Sequence, residues 1–141
     1  KPKMSAFEVS DHVIKNIKKK KYDLIITNFA NPDMVGHTGN IEATVKAIEA
    51  VDECIGKIFK QCKKNGYSLI ITSDHGNAEN MFDEKKNIVC TTHSLNLVPF
   101  TICEKINYSI KTGKLADIAP TVLKLLGLEI PTVMRGRPLI K

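Results

Sequence analysis

The chain has 141 residues, the size of one ordinary domain, and 43% of them are hydrophobic, so it can bury a compact core. This composition excludes an intrinsically disordered chain, and we expect a single domain over residues 1–141. The formal net charge is +6, but the lysines behind it are grouped at the ends of two predicted helices, where they offset the helix dipole. We therefore expect no nucleic-acid partner.

The cysteine spacing and the lack of long apolar runs indicate the cellular compartment of the protein. Cys54, Cys62, Cys90 and Cys103 form neither a Cys-x-x-Cys pair nor a dense disulfide framework, so we expect reduced, mostly buried thiols. No apolar stretch approaches the roughly 18 residues of a membrane span, and no signal-peptide pattern opens the sequence. This favours a cytoplasmic protein without a membrane partner. The sequence begins at Lys1, and we expect a piece of a longer protein.

The first predicted element is a helix over residues 5–20. Ser5 and Glu8 match a capping box. Apolar residues then recur at helical spacing, and these are Val9, Val13, Ile14 and Ile17. His12 falls off this stripe, so we expect it on the surface.

A strand, a long helix and a second strand are predicted next. Residues 22–29 have the continuous apolar centre of a strand covered on both faces, and residues 68–72 repeat that pattern. Residues 40–64 between them are amphipathic and end at Asn65-Gly66. The apolar face of this helix comprises Ile41, Val45, Ile48, Val51, Ile55, Ile58, Phe59 and Cys62. The order predicts a right-handed crossover in a parallel sheet.

The remaining segments predict one more strand and one more helix. Residues 77–96 are polar and irregular, and residues 97–103 form a strand whose Pro99 marks a sheet margin or a strand start. The last helix runs from Asp117 to Leu126, with Pro120 in its first turn and Gly127 as its terminator. Alternating strands and helices indicate an α/β fold.

Three loops beside the predicted strands carry carboxylates and imidazoles. Asp33 and His37 follow the first strand, Asp74 and His75 follow the second, and His93 lies before the third. Ligands of open α/β sheets bind beyond the carboxyl ends of strands, and these side chains hold divalent cations. Each loop alone could be an ordinary turn or a surface histidine. Together they predict a metal or phosphate site.

Several strings in these loops resemble one enzyme family. NPDMVGHTGN, TSDHGNAE, TTHS and LADIAPTVLKLLG are similar to the cofactor-independent (2,3-bisphosphoglycerate-independent) phosphoglycerate mutases of the alkaline phosphatase superfamily, and the likeness covers nearly the whole chain. It implies a three-layer α/β/α, alkaline-phosphatase-like fold with a largely parallel sheet. This chain would be the C-terminal part of the metal-binding phosphatase domain, without the nucleophile half and the inserted phosphotransferase domain.

The resemblance also implies a dinuclear site of two Mn²⁺ (or Mg²⁺) ions. The first ion would be held by Asp33, His37 and His93. The second would be held by Asp74 and His75, together with an aspartate and the nucleophilic serine from earlier in the family's chain. None of the serines here stands in the family's nucleophile motif, so we expect no catalytic residue in this chain.

The implied activity is the glycolytic interconversion of 3-phosphoglycerate and 2-phosphoglycerate through a phosphoserine intermediate, without a requirement for 2,3-bisphosphoglycerate. We expect a monomeric parent, and an isolated chain that is inactive and self-associates through an exposed strand edge. Arg135 and Arg137 receive no role, and the substrate-binding residues are not predicted. The alternative is a self-standing metal-binding or interaction module, and a phosphopentomutase, phosphatase or sulfatase is a minor rival.

Overall fold

The computed structural model describes residues 1–104 and 108–141. The chain forms two compact units, Lys1–Cys103 and Glu104–Lys141, and the single domain over residues 1–141 stays a prediction. The first unit contains the helices α1 (Ala6–Lys19), α2 (Asn31–Gly36) and α3 (Ile41–Asn65) and the strands β1 (Leu69–Thr72), β2 (Phe82–Asp83), β3 (Ile88–Val89) and β4 (Phe100–Cys103). The second contains a 3-10 turn, Leu115–Asp117, followed by α4 (Ile118–Leu125).

The core of the first unit lies between α1 and α3. Val13 and Ile17 of α1 cluster with Ile58 and Cys62 of α3. The bounds of α1, Ala6–Lys19, confirm the helix predicted for residues 5–20. The capping box is wrong, because Ser5 (φ −104°, ψ 23°) lacks the extended N-cap conformation and its side chain makes no cap hydrogen bond. His12 is exposed, as predicted. In the part of the chain that the structure describes, no helix combines the length and apolar character needed to cross a bilayer.

The ends of α3 were predicted to within one residue, but its buried face was not. Asn40 Oδ1 accepts a hydrogen bond from the Ala43 N–H at 2.9 Å, and Gly66 ends the helix at a φ of 79°. The buried residues are mostly small: Thr44, Ala47, Ala50, Val51, Cys54, Ile58 and Cys62. The predicted apolar face is wrong in part, since Ile41, Val45, Ile48 and Phe59 are exposed. The Ser10 hydroxyl of α1 donates to the Cys54 carbonyl of α3 at 3.5 Å. The helix α1 therefore packs on the face of α3 that carries these small side chains.

The strand predicted for residues 22–29 is wrong within the described residues. Residues 22–29 make no strand-to-strand hydrogen bonds there, and among the described residues β1 pairs with β4 alone. Only one side of the segment is covered: Ile25 and Phe29 pack against the core, whereas Leu24 is 47% and Ile26 84% exposed. Without this strand, the predicted crossover does not form either.

Both strand pairs in residues 1–104 and 108–141 are antiparallel. These residues therefore contain no parallel strand pair of the largely parallel sheet that the resemblance implies. β1 and β4 pair from Leu69 opposite Cys103 to Thr72 opposite Phe100. The strand predicted for residues 97–103 begins three residues later than expected, directly after Pro99. The Pro99 carbonyl accepts a hydrogen bond from Thr72 Oγ1 at 2.9 Å. The sequence interpretation missed the short β2–β3 hairpin in residues 77–96.

The second unit is organised by Asp117, which is 5% exposed. Its carboxylate accepts hydrogen bonds from the Lys114 ammonium and the Lys114 N–H, both at 2.9 Å, and from the Arg137 N–H at 2.8 Å. The Lys114 side chain and then the backbone donors lower the pKa of Asp117 to about 2. These bonds attach the C-terminal tail to the start of α4, a helix predicted with nearly these bounds.

The cysteines are free thiols. Cys54 and Cys62 are buried, and burial raises the pKa of both thiols. Cys90 and Cys103 are only half-buried, so the expectation of buried thiols holds for Cys54 and Cys62 alone.

Candidate metal centre

The helix α2 and the residue that caps its C-terminal end, His37, present the first two predicted ligands on one face. Residues 31–33 look like a turn in the sequence, but Pro32 sits in the first turn of α2, where its missing N–H costs little. Asp33 and His37 are one helical turn apart, with His37 Nε2 at 3.2 Å from Asp33 Oδ1. Local helix formation thus creates half of the candidate site.

His93 completes a tight triad with these two residues. Its Nε2 atom lies 3.1 Å from Asp33 Oδ1 and 3.1 Å from His37 Nε2. His37 Nδ1 lies 2.6 Å from the Thr91 carbonyl oxygen. Since a carbonyl only accepts, Nδ1 carries a proton, and in the neutral ring the lone pair lies on Nε2, which faces the triad. This is the tautomer that a metal-binding histidine with a carbonyl partner adopts.

His75 joins the same group of side chains. Its ring stacks on His93 with the centroids 3.6 Å apart and the planes at 16°, and its Nε2 lies 3.9 Å from Asp33 Oδ1. Asp33, His75 and His93 therefore also offer ligand atoms within 4.8 Å of one another. Two possible ligand triads share Asp33 and His93.

Asp74 lies at the margin of this cluster. Its side chain is 83% exposed, and its Oδ2 is 3.7 Å from His75 Nε2. The structure thus brings four of the predicted ligands together around the Asp33 carboxylate, while Asp74 reaches only His75. The division of the ligands between two ions stays a prediction.

A backbone bridge holds two of the ligand loops together. The Ser94 N–H donates to the Gly76 carbonyl at 2.8 Å, in an isolated antiparallel bridge between these residues. Each lies next to a histidine of the cluster, so the bridge brings His75 and His93 into contact. A Cβ at Gly76 would collide with the Ser94 hydroxyl, which explains the glycine at this position.

The sequence interpretation missed Asn77, which supports the carboxylate of the site. Asn77 is 6% exposed, and its Nδ2 donates to Asp33 Oδ1 at 3.1 Å. A Cβ at Gly36 would collide with the Asn77 side chain, so the glycine allows this close approach. Asn77 and Thr91 are both adjacent to recognisable ligand motifs, but their sequence positions do not reveal which ligands they contact.

The donor set fits a divalent cation. One carboxylate oxygen and converging imidazole nitrogens are suitable ligands for such an ion, and hydrogen bonds from Asn77 and to Thr91 orient two of them. The cluster is also partly open to solvent, since the side chains of His37 and His93 are 41% and 48% exposed. The arrangement can therefore bind a metal and remain accessible to a ligand.

The chain is similar to part of several known proteins. The chain is 53% identical over 143 residues to a 2,3-bisphosphoglycerate-independent phosphoglycerate mutase of Ehrlichia ruminantium (strain Gardel), which aligns with 99% of this chain and 28% of the relative. The relative of the same name from Wolbachia pipientis wMel is 50% identical over 141 residues, again with 99% and 28% aligned. The chain thus spans about 28% of the length of these relatives.

A solved structure and a family profile complete the comparison. A Leishmania mexicana phosphoglycerate mutase, crystallised at low cobalt concentration, superposes with a TM-score of 0.90 at 32% identity, over 100% of this chain and 29% of that one. This similarity confirms the α/β, alkaline-phosphatase-like fold class. A profile of the Metalloenzyme superfamily matches residues 1–130. Because this match covers most of the sequence, the chain belongs to the Metalloenzyme superfamily.

Proposed function

We propose that this chain supplies metal ligands to a phosphoglycerate mutase of the 2,3-bisphosphoglycerate-independent type. The parent enzyme interconverts 3-phosphoglycerate and 2-phosphoglycerate through a phosphoserine intermediate. The observation that carries the proposal is the convergence of Asp33, His37 and His93 within 3.2 Å of one another, in a chain similar to enzymes of that name. Because the chain spans only part of those relatives, we expect it to be inactive alone, with the nucleophilic serine supplied by the remainder of the parent.

The proposed site holds two cations, manganese or magnesium. The first binds Asp33, His37 and His93, and the second binds Asp74 and His75 with further ligands from the parent. The two imidazoles make the first set better suited to a transition-metal ion than to Mg²⁺, which prefers oxygen ligands. When bound, such a pair of cations lowers the pKa of a serine hydroxyl and offsets the charge of the phosphoryl oxygens.

The residues of this chain prepare the site for that chemistry. The Thr91 carbonyl fixes the tautomer of His37, and Asn77 fixes one oxygen of Asp33. A protonated imidazole nitrogen cannot coordinate a metal, so binding should weaken as the pH falls. The proposal includes a cytoplasmic, monomeric, glycolytic parent that acts on phosphoglycerate without a nucleic-acid or membrane partner.

An activity assay on the full-length parent tests the proposal. With Mn²⁺ and without 2,3-bisphosphoglycerate, we expect the wild type to interconvert the two phosphoglycerates and His93→Ala to lose that activity. His12→Ala, on an exposed position of α1, is the matched control and should retain it. An inactive parent whose isolated C-terminal chain still binds Mn²⁺ would instead favour a self-standing metal-binding module.

A further inference from the structure

We infer that Glu79 is a positioning residue of the metal centre, which ties the loop carrying Asp74 and His75 to the loop carrying His93. The inference rests on the proposed function, because it concerns the same site. Neither the ligand pattern nor the proposed reaction assigns Glu79 a role. Its contacts connect elements that must keep a fixed spacing for the ligands to converge.

The Glu79 carboxylate accepts hydrogen bonds from both ligand loops. Its Oε2 accepts from the Asn77 N–H at 2.7 Å, on the loop that follows β1. Its Oε1 accepts from the Ser94 hydroxyl and from Asn96 Nδ2 at 3.0 Å, on the other loop. Ser94 follows His93 directly, so the position of that ligand depends on this connection.

The connection continues through Asn77 to α2, which carries Asp33. Glu79 holds the backbone of this residue, while the Asn77 side chain donates to Asp33 Oδ1 at 3.1 Å. Asp33 belongs to α2, so a continuous path of hydrogen bonds joins Glu79 to all three loops of the cluster. Displacing Glu79 should therefore disturb Asp33 and His93 together, the two residues common to both candidate triads.

A carboxylate suits this position because three donors converge on it. In the observed arrangement the Asn77 N–H, the Asn96 Nδ2 and the Ser94 hydroxyl all donate to Glu79. These donors, the Ser94 hydroxyl foremost, lower the pKa of Glu79, so it is an ionised acceptor at neutral pH. A glutamine would offer one oxygen and one NH₂ group, so the Ser94 hydroxyl and the Asn96 amide would have to reorient to accept from it.

The test is a titration of the 141-residue chain with Co²⁺, followed by visible absorption, and with Mn²⁺ by electron paramagnetic resonance. Loss of a supporting hydrogen bond around a metal ligand typically weakens metal affinity about 10-fold to 100-fold. We expect Glu79→Gln to weaken binding by about 10-fold and to alter the Co²⁺ spectrum. Glu84→Gln makes the same chemical change at an exposed position further along the segment, and should bind as the wild type does.

A second pair of variants separates positioning from general stability. Ser94→Ala removes one donor to Glu79, whereas Ser94→Thr retains the hydroxyl, so Thr should preserve the affinity that Ala loses. Thermal unfolding without metal is measured for every variant. If Glu79→Gln does not fold, the Ser94 pair decides the question.

The outcomes distinguish this inference from the proposed function. A folded Glu79→Gln variant that binds Co²⁺ with wild-type affinity and spectrum overturns the inference alone. Equal weakening by Glu84→Gln, or equal affinity of Ser94→Ala and Ser94→Thr, overturns it as well. A wild-type chain that binds neither ion contradicts the proposed function together with the inference.

Discussion

Two aspartates organise the two units in different ways. Asp117 is surrounded by donors: the Lys114 ammonium and two backbone N–H groups satisfy its carboxylate. Asp33 receives one amide hydrogen bond from Asn77 and otherwise faces the Nε2 atoms of His37, His75 and His93. Asp117 therefore has its charge balanced within the chain, whereas Asp33 lies among imidazole nitrogens that could share a cation with it. The surroundings of a carboxylate, not its residue type, separate a structural role from a metal-binding one.

The largest expected effect is the loss of metal binding on changing Asp33. Asp33→Asn removes the one carboxylate shared by both candidate triads, and we expect the Mn²⁺ affinity to fall by about 100-fold or more. Even the mutation of a residue that only supports a ligand typically lowers metal affinity by about 10-fold to 100-fold. Isothermal titration calorimetry measures the affinity. Asp117→Asn is the matched control, and a folded control that lost Mn²⁺ affinity equally would remove the contrast between the two aspartates.

Metal should stabilise the wild type and not the Asp33 variant. At Mn²⁺ concentrations about 100 times the Kd, the expected gain in unfolding free energy is about 2.7 kcal/mol. Urea unfolding with and without Mn²⁺ measures this gain, and Asp33→Asn should show almost none of it. Equal stabilisation of both proteins would indicate that the ion binds elsewhere.

A substitution at Thr121 tests the hydrogen bonds around Asp117 without changing the charge of Asp117. Its hydroxyl donates to the Asp117 carbonyl at 2.6 Å and accepts from the Leu139 N–H at 2.9 Å, and the residue is 0% exposed. Thr121→Val leaves a buried N–H without its acceptor, which should cost about 1–3 kcal/mol of unfolding free energy. Chemical denaturation measures it, with the exposed substitution Glu129→Gln as the control. A change no larger than that of the control would contradict the proposed anchoring of the tail.

The smallest expected effect is the acid dependence of stability. Because the pKa of Asp117 is lowered from 3.8 to about 2, its stabilisation is complete above about pH 4 and is lost as the pH falls towards 2. Asp117→Asn should therefore flatten this part of the profile of unfolding free energy against pH. Denaturation series between pH 5 and about 2 measure the profile, and identical slopes for variant and wild type would argue against the ionised role of Asp117.

Local signals in the sequence predicted many of the elements, while packing decided the rest. Asn40 and Gly66 mark the two ends of α3, because a helix cap depends on the backbone of the residues next to it. Pro99 likewise marks the start of β4 through a local effect on the backbone. The buried face of α3 depends on where α1 packs. Residues 22–29 have the composition of a strand, but they form one only if another strand pairs with them, and residues 1–104 and 108–141 supply no such pairing.

The candidate site likewise contains residues that the sequence predicts and residues that only the folded structure reveals. The ligands could be predicted because metal chemistry restricts the residue types, and the loops carrying Asp33, His75 and His93 lie beside apolar segments. The supporting residues could not be predicted, since Thr91 acts through its carbonyl and Asn77 through a hydrogen bond to Asp33, more than 40 positions away. Such roles are a property of the folded arrangement.

Anomalous diffraction at the manganese edge, from crystals of the chain soaked in Mn²⁺, tests the central claim most directly. We expect the first anomalous peak among Asp33 Oδ1, His37 Nε2 and His93 Nε2, with any density beside Asp74 appearing only at higher Mn²⁺ concentration. Density beside Asp74 and His75 alone, or no peak at the cluster, would contradict the assignment of this metal centre.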